Sequence, residues 1–169
     1  MGNTIIVNTG EVKTGGNMDI LKSSPIGSCV VVILFHEKIA KGGMAHIMLP
    51  GNALPSVESV KATRYAVNAL EALFEQLAFT GINKNELNSV IVGGGNVLKR
   101  EGDTIGLDNM NSVIQILGDH KIKIKARSVL GTERKLTRFD IMKGLIYVTE
   151  GDQNEKILYQ LRNKPHLIA

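Results

Sequence analysis

The sequence predicts an α/β sandwich: mixed or antiparallel β-sheets flanked by two principal helices, in a single domain. Three observations carry this. Short apolar runs rich in β-branched residues, headed by Val30-Val31-Val32-Ile33-Leu34-Phe35, recur between glycine-rich turns. Two other stretches space their apolar residues by three and four, the helical pattern. Several strand candidates are joined by links too short for a crossover helix. They form hairpins, which disfavours a purely parallel, doubly wound sheet. A length of 169 residues suits one domain with its own core, and a hydrophobic content of 43% is that of an ordinary globular protein.

Taken in order, Ile5 to Val7, Glu11 to Lys13 and Asp19 to Lys22 are short strand candidates. The third leads into Ser23-Ser24-Pro25-Ile26-Gly27-Ser28-Cys29, where proline and glycine impose a bend. Val30 to Phe35 has no polar interruption, so it reads as a strand buried on both faces. His36 to Ile39 breaks it, and Gly42-Gly43 supplies flexibility or a bulge before a second arm, Met44 to Leu49. A loop centred between Glu37 and Lys38 would pair residues whose numbers sum to 75, setting Cys29 opposite His46, about 5 Å apart at Cβ. Glu-Lys is not favoured turn chemistry, so this register rests on the chemistry of the pair.

Ser56 offers a helix start, and Val60, Val67, Leu70, Leu73, Phe74 and Leu77 form one stripe of a helix from Val57 to about Phe79, stopped by Gly81. Asn83 to Leu87 is a turn, and Ser89 to Val92 a buried strand running into Gly93-Gly94-Gly95-Asn96. A second helix begins near Asp108, buries Met110, Val113, Ile114 and Leu117, and ends by Gly118. Lys121 to Val129 alternates, with Ile122, Ile124 and Ala126 on one face, as a half-solvated strand does. Lys135 to Phe139 and Leu145 to Thr149 are the last strands. These elements make up a domain of residues 1–150. Residues 151–169 read as a C-terminal tail or docking helix, since Ile157, Leu158 and Leu161 recur at helical spacing.

Composition narrows the function. Aromatics are 4% with no Trp, so a base-stacking platform is disfavoured, and a net charge of +4 does not demand nucleic acid. The row Lys121, Lys123, Lys125 and Arg127 reads as a solvated strand face; its alternative is steering toward an acidic partner. A single cysteine excludes an internal disulfide framework and a cysteine-rich zinc site. No histidine–carboxylate spacing supports a metal. Gly93-Gly94-Gly95-Asn96 lacks the continuation of a phosphate-binding loop, so no cofactor is expected and a tight turn beside the active cleft is the better account. The N-terminus has neither a basic flank nor a long apolar core, and no apolar run is long enough to span a bilayer. The expected location is cytoplasmic, without membrane insertion.

Cys29 and His46 remain as candidates for chemistry. A lone cysteine beside valines is commonly a small buried hydrophobe, and a histidine between apolar residues is commonly a core residue with one hydrogen bond. Against that, Cys29 follows Gly27-Ser28 at the mouth of a strand, and His46 lies in the neighbouring arm. A free thiol is mostly protonated at neutral pH, and a nearby imidazole can take its proton. Ser23 and Ser24 are the nearby hydroxyls that could orient the ring.

The stretch Ile26-Gly27-Ser28-Cys29-Val30-Val31, followed by Gly42-Gly43-Met44-Ala45-His46-Ile47-Met48-Leu49-Pro50, resembles CheD, the chemoreceptor glutamine deamidase family. The likeness extends through Arg64-Tyr65-Ala66, Gly93-Gly94-Gly95-Asn96, Ile105-Gly106 with Asn109, and Gly131 with Arg134 and Phe139. The resemblance implies a triad of Cys29 as nucleophile, His46 as base and, six residues before the cysteine, Ser23 where the family commonly has threonine. Leu130 stands where the family pattern has a second glycine. The implied activity is hydrolysis of receptor glutamine side chains to glutamate through a thioester. Chemoreceptor cytoplasmic helices are the implied substrate, and a CheC-like phosphatase is the implied regulatory partner. The alternative is a noncatalytic adaptor that binds receptors or that phosphatase through the same cleft.

Overall fold

The computed structural model describes residues 1–162. Among them are ten strands: β1 (Thr4–Val7), β2 (Val12–Gly16), β3 (Ile20–Ser23), β4 (Val30–Phe35), β5 (Lys41–Ile47), β6 (Asn88–Gly93), β7 (Lys123–Val129), β8 (Lys135–Asp140), β9 (Leu145–Glu150) and β10 (Lys156–Gln160). The helices are α1 (Ser59–Ala62), α2 (Ala66–Phe79) and α3 (Ile105–Asp119). The strands form two five-stranded sheets, ordered β1-β3-β8-β9-β10 and β2-β5-β4-β6-β7. Both are mixed, because β1–β3 and β6–β7 pair in parallel while the other pairs are antiparallel.

The second sheet is the middle layer. On one face Val30, Val32, Leu34, Ala45 and Ile47 pack under α2 and α3. On the other, Val31, Ile33, Phe35 and Met44 meet Leu21, Ile26, Phe139 and Ile146 of the first sheet and its connections. A strand between two apolar layers has no solvated face, which accounts for the unbroken run in β4. At one corner a buried polar chain joins the sheets. Lys135 Nζ donates to Ser128 Oγ at 3.0 Å, and Ser128 donates to Glu150 Oε1 at 2.5 Å.

The structure corrects the expected elements in four places. Instead of one helix from Val57, there is a single turn and then α2, because the chain is extended at Tyr65. The Arg64 carbonyl accepts the N–H groups of Met48 and Leu49, and Tyr65 bridges Leu49, so this stretch pairs with the end of β5. The α3 helix starts three residues earlier than Asp108. In β7 the alternation is interrupted, since Ser89 pairs with Ile124 but Val90 pairs with Ala126. The bulge at Lys125 turns Ile124 toward the helices and Ala126 toward the other sheet. Finally, Ile157 and Leu158 lie in a strand, β10, antiparallel to β9. Tyr159 fixes it by donating to Glu37 at 2.6 Å and stacking on Phe35. The last seven residues of the 151–169 segment lie outside the described residues.

Candidate active site

The first sheet hands the chain to the second through residues 24–29, between β3 and β4. This crossing carries Ser24 at one end and Cys29 at the other. Ile26 anchors its middle, exchanging backbone hydrogen bonds with Lys135 at 2.8 and 2.9 Å. Cys29 is half-buried and packs on the inter-sheet cluster with Val31. His46 lies on the facing strand and is fully buried.

The expected register is corrected. The β4–β5 ladder pairs Val30 with Ile47, Val31 with His46 and Phe35 with Gly42, so paired numbers sum to 77 rather than 75. Gly42 and Gly43 do not form a bulge but sit inside the ladder. A Cβ on Gly42 would lie 2.6 Å from the Phe139 ring and 2.8 Å from the Leu34 carbonyl oxygen, so this position needs glycine and cannot be given up to the loop. A shift of two residues preserves the face but moves Cys29 from opposite His46 to its diagonal, about 7 Å between backbones. Both residues still face the layer between the sheets.

His46 Nδ1 lies 3.2 Å from the Val7 carbonyl oxygen and 3.3 Å from Ser24 Oγ. A carbonyl only accepts, so in neutral His46 the proton is on Nδ1 and Ser24 shares it as a second acceptor. That leaves a lone pair on Nε2, which is buried and has no hydrogen-bond partner among the described residues. Burial holds the imidazole below its ordinary pKa, against the Val7 carbonyl and the charge of Glu11, which raise it. Burial pushes the Cys29 thiol up, against its own backbone N–H and the Thr9 hydroxyl, which favour thiolate. The resting pair is therefore thiol and neutral imidazole.

Ser23 is not the hydroxyl beside the ring. Its Oγ is buried and accepts the Thr137 N–H at 3.1 Å, tying β3 to β8. It is the last residue of β3 and its side chain is occupied by the neighbouring strand, whereas Ser24 begins the crossing.

The glycine loop after β6 shapes the backbone at Cys29. Gly94 N–H donates to the Cys29 carbonyl at 2.7 Å and Gly95 N–H to the Gly27 carbonyl at 3.0 Å. Gly93 has φ of 120°, and a Cβ there would overlap the Cys29 carbonyl oxygen. The loop is thus a backbone clamp on the cysteine turn. Leu130, which donates to the Gly93 carbonyl, sits at φ of 65°, a left-handed position where glycine is the easier residue.

Two residues outside the expected triad touch the site. One is Thr9, beside the thiol. The other is Asn109 on α3, fully buried, whose Nδ2 donates to the Ser28 carbonyl at 2.9 Å and the Met48 carbonyl at 3.0 Å. A signal for Asn109 was present: it stands four residues before Val113 on the buried side of an amphipathic helix, where an amide needs a reason. A cavity of about 430 Å³ opens along the turn, lined by Pro25, Gly27, Ser28, Asn96, Leu98 and Arg134 among others. A second, of about 490 Å³, lies further along over Lys135 and Thr149; the first reaches Ser28, and neither is lined by Cys29 or His46. Among the described residues no group of three or more His, Cys, Asp or Glu is placed to hold a metal ion, and no helix is long and apolar enough to cross a membrane.

The profile of the family described as CheD chemotactic sensory transduction matches residues 48–150, well over half of the chain. The chain belongs to the CheD family. The chain is 37% identical over 155 residues to the probable chemoreceptor glutamine deamidase CheD of Chlorobium luteolum, covering 92% of this chain and 77% of that one. It is 29% identical over 153 residues to the chemoreceptor glutamine deamidase CheD of Thermotoga maritima, covering 90% and 95%. The Bacillus subtilis protein of the same name is 24% identical over 158 residues, covering 91% and 95%. The CheD profile match holds the glycine loop and Asn109 but starts two residues after His46, so the assignment to CheD stands independently of the cysteine and the histidine.

Proposed function

We propose that this chain hydrolyses glutamine side chains of chemotaxis receptors to glutamate, the activity its relatives are named for, with Cys29 as nucleophile and His46 as base. The observation that carries the mechanism is the His46–Val7 hydrogen bond, which puts the ring's free lone pair on Nε2 in the layer that Cys29 borders. In the forward step Nε2 takes the thiol proton as Sγ bonds to the amide carbon. The carbonyl oxygen becomes an oxyanion, and the Cys29 backbone N–H, beside its own sulfur, is the donor proposed to hold it. Nε2 returns the proton to the leaving nitrogen, the C–N bond breaks, and ammonia departs from a thioester. Water then attacks while Nε2 accepts its proton. The thiolate leaves and is reprotonated, and glutamate is released. Nε2 makes no hydrogen bond to the sulfur in the resting site, so the proposed proton transfer needs the diagonal pair to close on each other when substrate binds.

Ser24, not Ser23, is the proposed third member, accepting from Nδ1–H and holding the ring plane. The cavity beside Ser28 is the proposed entry for a side chain presented by a receptor helix in the cytoplasm. A CheC-like phosphatase is the proposed regulatory partner, on the family resemblance alone. The test is ammonia release from receptor cytoplasmic fragments, read with wild-type protein and Cys29→Ala. Release by the wild type and none by the variant supports the reading. Binding without release by either protein favours the adaptor.

A further inference from the structure

Asn109 makes two hydrogen bonds that join parts of the site otherwise carried by different elements. The Ser28 carbonyl belongs to the peptide that enters Cys29. The Met48 carbonyl lies two residues beyond His46. One amide nitrogen, rooted in α3, donates to both at 2.9 and 3.0 Å. The amide cannot be turned over, since its oxygen would then face two carbonyl oxygens. In the observed orientation Asn109 Oδ1 is buried with no partner among the described residues. A residue kept only for packing would not leave an acceptor unpaired in the core. The two donor bonds are what the position holds.

Their effect follows from peptide geometry. A trans peptide points its C=O and the next N–H in opposite directions. Holding the Ser28 carbonyl toward α3 therefore aims the Cys29 N–H away from α3. That N–H lies beside the Cys29 sulfur and has no backbone acceptor among the described residues. On its other side the turn is already held by Gly94 and Gly95, bonded to the Cys29 and Gly27 carbonyls. Asn109 supplies the third restraint, and it is the one that also reaches the strand carrying His46.

We infer that Asn109 is a positioning residue, which sets the cysteine turn and the His46 strand relative to each other and aims the Cys29 N–H at the reacting centre. This rests on the reading of Cys29 as nucleophile, but it has a readout that does not. The chain has one cysteine, so alkylation by iodoacetamide reports Cys29 without any substrate. The experiment compares full-length wild type, Asn109→Ala, Asn109→Asp, Leu117→Ala and Cys29→Ala. For each it measures thermal unfolding, the pH profile of alkylation, and kcat and KM for ammonia release from a receptor cytoplasmic fragment. Leu117 is buried on the same helix, so its truncation controls for lost stability.

In both Asn109 variants kcat falls about 100-fold with KM within about threefold, the scale of a misplaced catalytic group. The alkylation midpoint moves up by about half a pH unit or more, because the N–H no longer favours thiolate. Leu117→Ala lowers the unfolding temperature and leaves kcat and the midpoint at wild-type values. Wild-type kcat and midpoint in the Asn109 variants would overturn the inference. So would the same losses in Leu117→Ala, or failure of both Asn109 variants to fold, each of which makes the residue structural only. Ammonia release by Cys29→Ala at the wild-type rate would sink the nucleophile, and the alkylation midpoint would still decide whether Asn109 sets the turn.

Discussion

His46 donates from Nδ1 to the carbonyl oxygen of Val7 at 3.2 Å, across the gap between the two sheets. The bond fixes the tautomer and gives the activity a direction with pH. The proposed base is the neutral ring, and burial keeps it neutral below the ordinary histidine pKa of 6.5. The acid limb of kcat/KM is therefore expected below pH 6.5, with the neutral range flat. Stability follows the same sign. An unfolded histidine takes up its proton at a higher pH than the buried one, so His46's contribution is whole above about 6.5 and declines as the pH falls below it. Replacing His46 by Gln should flatten that part of the melting-temperature profile and lower kcat by about 100-fold or more. An acid limb at or above the ordinary histidine range would contradict the assignment.

Ser24 and Ser23 should separate into two phenotypes. Ser24→Ala removes an acceptor from Nδ1–H but leaves the Val7 carbonyl, so kcat should fall by about tenfold, one weak hydrogen bond's worth, with the fold intact. Ser23→Ala leaves the buried Thr137 N–H without its acceptor and should lower stability by about 1–3 kcal/mol. Denaturant titrations alongside ammonia release distinguish the two. The reverse pattern would return the orienting role to Ser23.

The glycine clamp predicts a loss that travels through the backbone. Gly93→Ala puts a methyl into the Cys29 carbonyl and onto a backbone at φ of 120°, which alanine rarely adopts. We expect a loss of about 2 kcal/mol or more in stability, with a disproportionate fall in kcat because the shifted atom belongs to the proposed nucleophile. Wild-type kcat in folded Gly93→Ala would show that the turn does not depend on the loop.

Leu130→Gly should stabilise. Its φ of 65° is strained for leucine, and relief of that strain outweighs the added flexibility of the unfolded chain by about 0.5–1 kcal/mol. Leu130 is 38% exposed and lies outside the buried core clusters, so its removal opens no cavity in them. A fall in the unfolding midpoint would show that the side chain contributes more contact than its exposure suggests.

Layering was legible in the sequence because each β element carries its environment. The unbroken β4 run has two apolar neighbours, and α2 and α3 show single stripes. The register was not legible, because it depends on Phe139, nearly a hundred residues later, occupying the space over Gly42. Helical spacing after residue 155 misled for the same reason: Glu37 receives both the Tyr159 hydroxyl and the Arg162 N–H, and holds the segment at the sheet edge. At the site, residue types pointed to a thiol and an imidazole directly opposite each other; the ladder keeps the two on one face but on the diagonal, with no hydrogen bond from the ring's Nε2 to the sulfur. Neighbouring serines are indistinguishable by type, and only their partners, Thr137 for one and His46 for the other, separate them.

The most direct test of the central claim is to look for the covalent intermediate. Receptor cytoplasmic fragments are incubated with the enzyme, quenched in acid, digested and mapped by mass spectrometry. The account predicts a receptor peptide joined through its glutamyl carbonyl to the peptide containing Cys29. It also predicts target glutamines heavier by about 1 Da once the amide is exchanged for acid, and neither product with Cys29→Ala. Deamidation of the same glutamines by Cys29→Ala at the wild-type rate would contradict it.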